Sequence, residues 1–228
     1  MPIDLAPVRP GSPQRTAVVA AAAVIASLVL PATAAASDKI LLGGGAGIFL
    51  NGDRLCTLTA IGHDAADRLV GFTAAGCGPV GSPVVADGAE DEGVVGTVVA
   101  IDEGLGYAVI EFDQAKAAGI RNYEGFAIKD VDPDPEHVQQ ACKLGRATGV
   151  TCWDGESAAV DAEGNEWWLP GDDGAPVTVD DLIVGMVGDA AVPVAPLAQP
   201  GSAIVLFAAI VDDVNAKGGP GAGFSLAG

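Results

Sequence analysis

Short apolar runs rich in β-branched residues, each closed by glycine, proline, asparagine or aspartate, recur along the chain from residue 48 onward. Ile48-Phe49-Leu50 runs into Asn51-Gly52-Asp53, a hairpin-type turn, because Asn-Gly readily supplies the positive φ angles of tight turns. Residues 55–61 and 69–75 read as two strands about the acidic turn Gly62-His63-Asp64, and residues 94–101 and 107–112 as two more. Residues 130–136 carry Pro133 and Pro135 among aspartates; proline removes a ladder donor, so a linker is expected there. Beyond it, residues 141–153 read as a hairpin closed by its own cysteines, and Trp167-Trp168-Leu169 and residues 182–187 as further strands. Only residues 207–217 show helical spacing, with Phe207, Ile210, Val211 and Val214 on one face. The Gly-rich tail, 218–228, is expected to be loose. The pattern predicts an all-β protein of two antiparallel barrels in tandem, 37–129 and 130–228, with a short C-terminal helix; a single β-sandwich fits the same pattern.

The first 36 residues follow a different rule. Arg9 and Arg15 precede an apolar run, 17–30, and then Pro31-Ala32-Thr33-Ala34-Ala35-Ala36-Ser37. A positive start, a short apolar core and small residues at the end describe a secretory signal peptide, with cleavage after Ala34 or Ala36. The run is shorter than the ~20 residues a membrane-spanning helix needs, so an uncleaved anchor is the weaker reading and no membrane span is expected after cleavage. The expected location is outside the cell or in the envelope.

Charge narrows the partners. Lys and Arg number 11 against 30 Asp and Glu, for a net charge of −19. Nucleic acid is excluded as a natural partner, since phosphate binding needs a basic footprint. Cys56, Cys77, Cys142 and Cys152 are an even set in an exported chain, which favours disulfides. Sequence allows three pairings; the local one, Cys56 with Cys77 and Cys142 with Cys152, is expected. A zinc site is the weak alternative, because there is no C-x-x-C and the histidines are only His63 and His137. Neither a metal nor another cofactor is expected, and the chain is expected to be monomeric.

Four segments in order then carry a resemblance. Leu55-Cys56-Thr57-Leu58 with Gly71-Phe72-Thr73-Ala74-Ala75-Gly76-Cys77-Gly78 looks like a C-[ST]-L strand and a T-A-[GA]-H-C-G motif. Gly106-Tyr107-Ala108-Val109-Ile110 looks like D-Y-A-V-I. The stretch from Cys142 to Cys152 resembles a C-x-x-G-x-x-T-G-x-x-C hairpin, and Gly171-Asp172-Asp173-Gly174-Ala175-Pro176 resembles G-D-S-G-G-P. Together they resemble the secreted chymotrypsin-like serine proteases of actinomycetes, the streptogrisin and α-lytic type. The resemblance implies two six-stranded barrels with an active site in the cleft between them, and it supports the local disulfide pairing.

The departures fall on the chemistry. By the resemblance, the histidine position is Gly76, the aspartate position is Gly106 and the serine position is Asp173. The family's reaction needs a hydroxyl nucleophile, an imidazole to take its proton and a carboxylate to orient the imidazole. Loss of such a triad lowers turnover by roughly 10⁶. No catalytic residue is therefore expected. Gly171, Asp172 and Asp173 form the oxyanion loop implied by the resemblance, and either the Asp173 carboxylate or a bound water is expected to fill the hole made by the N–H groups at Gly171 and Asp173. His63 and His137 read as solvated rather than catalytic, and the pairs Asp172/Asp173 and Asp180/Asp181 as solvated loop carboxylates rather than a Ca²⁺ site. Trp167 and Trp168 read as one core and one partly exposed tryptophan, or, by the resemblance, as a specificity pocket blocked or reshaped into an apolar binding site. The resulting expectation is an exported, inactive protease homologue that binds a peptide or protein in the inter-barrel cleft. The alternatives are residual hydrolase activity and a structural envelope protein.

Overall fold

Strand pairing follows the apolar runs closely. The computed structural model describes residue 11 and residues 39–133, 141–153, 168–188 and 203–228. The expected signal peptide and His137 lie outside the described residues. Residues Ser37–Gly228 form one unit.

The first lobe is an eight-stranded sheet ordered Ser225–Leu226, Ala60–His63, Leu69–Ala74, Tyr107–Phe112, Val94–Asp102, Pro83–Ala86, Gly47–Leu50 and Arg54–Thr57. Arg54–Thr57 and Ala60–His63 are halves of one bent stretch, although they stand near opposite ends of that order. Between them, Leu58 N–H donates to Ala46 O on one side and Thr59 N–H to Phe72 O on the other, which curls the sheet into a barrel. The barrel is filled by residues such as Ile48, Leu50, Leu58, Phe72, Val98 and Ile110, all fully buried. Full burial of each side chain of this size contributes ~1.5–3 kcal/mol. Cys56 and Cys77 are joined across it, as expected.

The second lobe is a six-stranded sheet of Asp130–Val131, Leu182–Gly188, Pro176–Val179, Ala141–Gly145 and Gly149–Trp153, with Ala203–Leu206 pairing Leu182–Gly188. Pairing is antiparallel apart from Asp130–Val131 on Leu182–Ile183 and, elsewhere, Ile40–Leu42 on Ala117–Gly119. The hairpin expected at 141–153 forms with Cys142 opposite Cys152, and the two are disulfide-bonded. Leu182–Gly188 lies between two cores: Ile183 and Met186 join the first, Val184 and Val187 the second. The C-terminal helix, Phe207–Lys217, buries Phe207, Ile210 and Val214. Phe207 meets Phe72 edge-on with centroids 5.3 Å apart. The helix is also tied to the first lobe at its far end: Tyr107 Oη donates to Asp213 at 2.6 Å, and Lys217 Nζ pairs with Asp213 at 2.7 Å and with Asp102. Burial, and then the hydrogen bond to Asp213, pushes the Tyr107 phenol well above its ordinary range.

Four local expectations need correction. The tail is not loose: Ser225–Leu226 adds to the edge at Ala60–His63, Ala227 is buried, and the Phe224 ring sits edge-on to Phe72 at 4.9 Å. Apolar residues spaced among the glycines give it something to bury. Residues 130–131, placed in a linker, form a short strand. Trp168 and Leu169 are not in a strand, while Trp167 lies outside the described residues. The acidic turn starts only at Asp64, since Gly62 and His63 belong to the strand Ala60–His63, and the Asp64 side chain is fully buried. Arg68 Nε donates to it at 2.7 Å and the N–H groups of Ala66, Arg68 and Gly221 at 2.9, 3.0 and 3.2 Å. Burial alone raises this carboxyl's pKa, but the Arg68 side chain and the three N–H donors outweigh it and hold the group below its ordinary 3.8. A depressed folded value means stabilisation that is complete above the unfolded pKa and lost as pH falls through the folded one. Asp64→Asn is therefore expected to flatten the acid limb of a stability–pH curve below about pH 4, read by urea unfolding at stepped pH.

Candidate functional site

The loop Gly171–Ala175 is held from below by hydroxyls of the first lobe. Thr57, Thr59 and Thr73 are completely buried, and a buried hydroxyl must find a partner. Thr57 Oγ1 donates to Gly171 O at 2.7 Å and accepts the N–H of Arg146 at 2.9 Å. Thr59 Oγ1 donates to Gly174 O at 2.6 Å, Thr73 Oγ1 donates to Thr57 O at 2.8 Å, and Thr57 N–H donates to Asp173 O at 2.9 Å. The seam between lobes is thus a ladder of side-chain and main-chain bonds beneath the loop.

Two adjacent aspartates leave that loop in different company. Asp172 is fully buried and turns into the second lobe. Its carboxylate accepts the N–H groups of Ala147, Thr148 and Leu169 at 2.9, 3.2 and 3.1 Å, the Thr148 hydroxyl at 2.8 Å, and pairs with Lys143 Nζ at 3.3 Å. Lys143 is itself completely buried. Burial pushes its ammonium below the ordinary lysine range, further than the neighbouring Asp172 carboxylate raises it. Asp173 faces the other way. Arg54 Nη2 pairs with its Oδ2 at 3.0 Å, and Trp168 Nε1 donates to its Oδ1 at 3.2 Å. Two long side chains, Arg54 and Trp168, thus reach the carboxylate at the position the resemblance assigns to the nucleophile. Both aspartates are buried, which corrects the expectation of solvated loop carboxylates. The pair Asp180/Asp181 forms the tight turn before Leu182, both at positive φ, and Asp181 pairs with exposed Lys129 at 2.8 Å.

The other two positions singled out by the resemblance lie next to this loop. Gly76 is exposed in the 3-10 turn Ala75–Cys77, at the end of Leu69–Ala74. Ala75 N–H donates to Gly106 O at 2.8 Å, and Gly106 lies in the left-handed region at φ 70°. Cys77 Sγ is 3.8 Å from Asp173 O. Residues 76, 106 and 173 therefore converge on one place, with no side chain at two of them. His63 is elsewhere: it pairs with Leu69, at the opposite end of the strand that leads to Gly76, roughly 17 Å away at strand rise.

A cleft of ≈ 460 Å³ opens beside Asp173, lined by Asp53, Arg54, Leu55, Trp168, Pro170 and Gly171. The half-buried Trp168 forms one wall and packs on the second core. Its position agrees with the reading of one partly exposed tryptophan. Arg54, Lys143 and Thr59 were not singled out from sequence. Lys143 carried no signal, because its hairpin also holds Arg146, Thr148 and Thr151 and nothing in it marks the lysine as buried. Arg54 carried none, because it begins a strand after an exposed turn.

No family model and no curated protein matches the chain. Solved structures do. The Nocardiopsis protease matches with a TM-score of 0.55 at 16% identity, over 77% of this chain and 96% of its own. The Cellulomonas bogoriensis chymotrypsin matches at 0.52 and 17% over 78% and 96%, and Thermobifida fusca protease A at 0.50 and 18% over 73% and 99%. At such identities the likeness speaks for architecture, and the chain has the fold of the bacterial chymotrypsin-like serine proteases.

Proposed function

We propose that this chain is an exported protease homologue that does not cleave peptide bonds and instead binds a peptide or protein partner in the cleft beside residue 173. One observation carries the reading. The position the resemblance assigns to the nucleophile holds a buried carboxylate already engaged by Arg54 and Trp168, and its two companion positions are glycines. Among the described residues no imidazole stands beside that carboxylate to manage protons, and glycine offers no side chain to replace one. The scaffold, both disulfides and the cleft are nevertheless intact, which is what a binding role needs. The N-terminal leader and the disulfides both suit an oxidising compartment.

A fluorophosphonate probe tests this, because it labels only an activated serine. Neither the wild-type protein nor Asp173→Ser is expected to label above a heat-denatured control, under conditions that label an active chymotrypsin-like enzyme. A serine at 173 would still face Gly76, and the loss of a complete triad costs roughly 10⁶ in turnover. Covalent labelling of the wild type would overturn the reading.

A further inference from the structure

The cleft has a floor built for a positive charge. The Asp173 carboxylate lies at its base with only 9% of the side chain exposed. One oxygen takes the Trp168 indole N–H and the other a guanidinium. Leu55 and Pro170 line the walls, apolar surface of the kind that receives the methylene stem of a long cationic side chain. An indole beside a carboxylate is a favourable site for arginine or lysine, since the ring and the anion both attract cations. The site has an occupant already, Arg54 of the same chain.

We propose that this cleft is a receptor for an arginine or lysine side chain of a partner peptide, and that Arg54 holds it until the partner's cation takes its place. The proposal rests on the peptide-binding reading given above and names the ligand's chemistry. The two halves of the Arg54–Asp173 pair differ in freedom. Asp173 cannot withdraw: its carbonyl is bonded by Thr57 N–H, and its neighbours Gly171 and Gly174 by Thr57 and Thr59 hydroxyls. Arg54 can withdraw: its side chain is 49% exposed and follows Asn51, Gly52 and Asp53, all exposed. Released, the guanidinium passes into water at small cost, because a half-exposed ion pair contributes little to stability. The Asp173 oxygen that Arg54 held then faces the cleft and can take another cation. The chain's field selects the sign of the replacement. A net charge of −19 draws cationic peptides and repels acidic ones, so a ligand carboxylate docking on Arg54 is the disfavoured alternative.

Fluorescence anisotropy of the full exported chain with a fluorescein-labelled, end-blocked Ala-Ala-Arg-Ala-Ala peptide tests the exchange. The controls replace arginine with citrulline, which keeps the shape without the charge, or with glutamate. The wild type is expected to prefer the arginine peptide, less so as salt rises. Arg54→Ala is expected to bind it about fivefold more tightly, because the competing internal cation is gone. Asp173→Asn is expected to remove the preference for arginine over citrulline; if that variant does not fold, the Arg54→Ala comparison decides alone. Unchanged or weaker binding by Arg54→Ala would overturn the displacement. Equal binding of the arginine and citrulline peptides would overturn the cation receptor while leaving a peptide-binding cleft standing. Failure of Arg54→Ala to bind any of the peptides would remove both. Fluorophosphonate labelling would remove only the inactive reading.

Discussion

Asp172→Ala is expected to lower the unfolding free energy by about 3–5 kcal/mol, seen as a large fall in the urea midpoint with the disulfides intact. The substitution strips the carboxylate from a completely buried lysine and takes the acceptor from three N–H groups at 2.9–3.2 Å. Desolvation is the reason the loss is so large. In water Lys143 would exchange one partner for another, but in the interior the ammonium keeps its burial and its bond to the Thr148 hydroxyl while losing the Asp172 carboxylate. Removing both charges should therefore hurt less than removing one. Lys143→Met combined with Asp172→Asn is expected to recover part of the loss, and a double-mutant cycle gives the coupling. If Asp172→Ala unfolds within about 1 kcal/mol of the wild type, the buried pair does not anchor the loop.

Gly174→Ala is expected to cost about 3 kcal/mol or more, by the same measurement. The residue sits at φ 89°, and a Cβ there would stand 2.2 Å from Thr57 O and 2.3 Å from Thr73 Oγ1. The first of these atoms belongs to a main chain already bonded into the barrel, so the loop must lift and break the Thr59–Gly174 bond. Gly52→Ala separates the two contributions. It has nearly the same φ, 91°, with nothing within 4 Å, and should cost only the ~1–2 kcal/mol of a left-handed alanine. Equal losses at the two sites would show that backbone strain, rather than the close approach to Thr57, governs position 174.

Much of the fold was legible because its signals are local. A hairpin such as Gly47–Leu50 with Arg54–Thr57 announces itself through Asn51-Gly52, and the helix through one apolar face at 207, 210 and 214. The cystine-closed hairpin at 141–153 was legible for the same reason, since its two cysteines are only 10 residues apart. The strands Pro83–Ala86, Pro176–Val179 and Ala203–Leu206 were not singled out. All three begin with proline or alanine, residues that give a weak strand signal, and they are strands because neighbouring strands pair with them. The tail misled by composition: its glycines suggested a loose end, while Phe224 and Ala227 had a core to reach.

The sequence by itself pointed to an all-β chain, to local disulfides among three possible pairings, and to four segments that resemble a protease scaffold, with Gly76, Gly106 and Asp173 at the positions the resemblance assigns to its chemistry. What became of the Gly171-Asp172-Asp173-Gly174 loop was decided only by tertiary structure. Neighbouring aspartates with nearly the same local surroundings end with opposite partners, Lys143 at a separation of 29 residues and Arg54 at 119. A carboxylate's state depends on whether water or protein surrounds it, and on which cation shares that space. Both are settled by segments far away in the chain that fold over it, so no reading of adjacent residues could have told the anchor from the floor of the cleft.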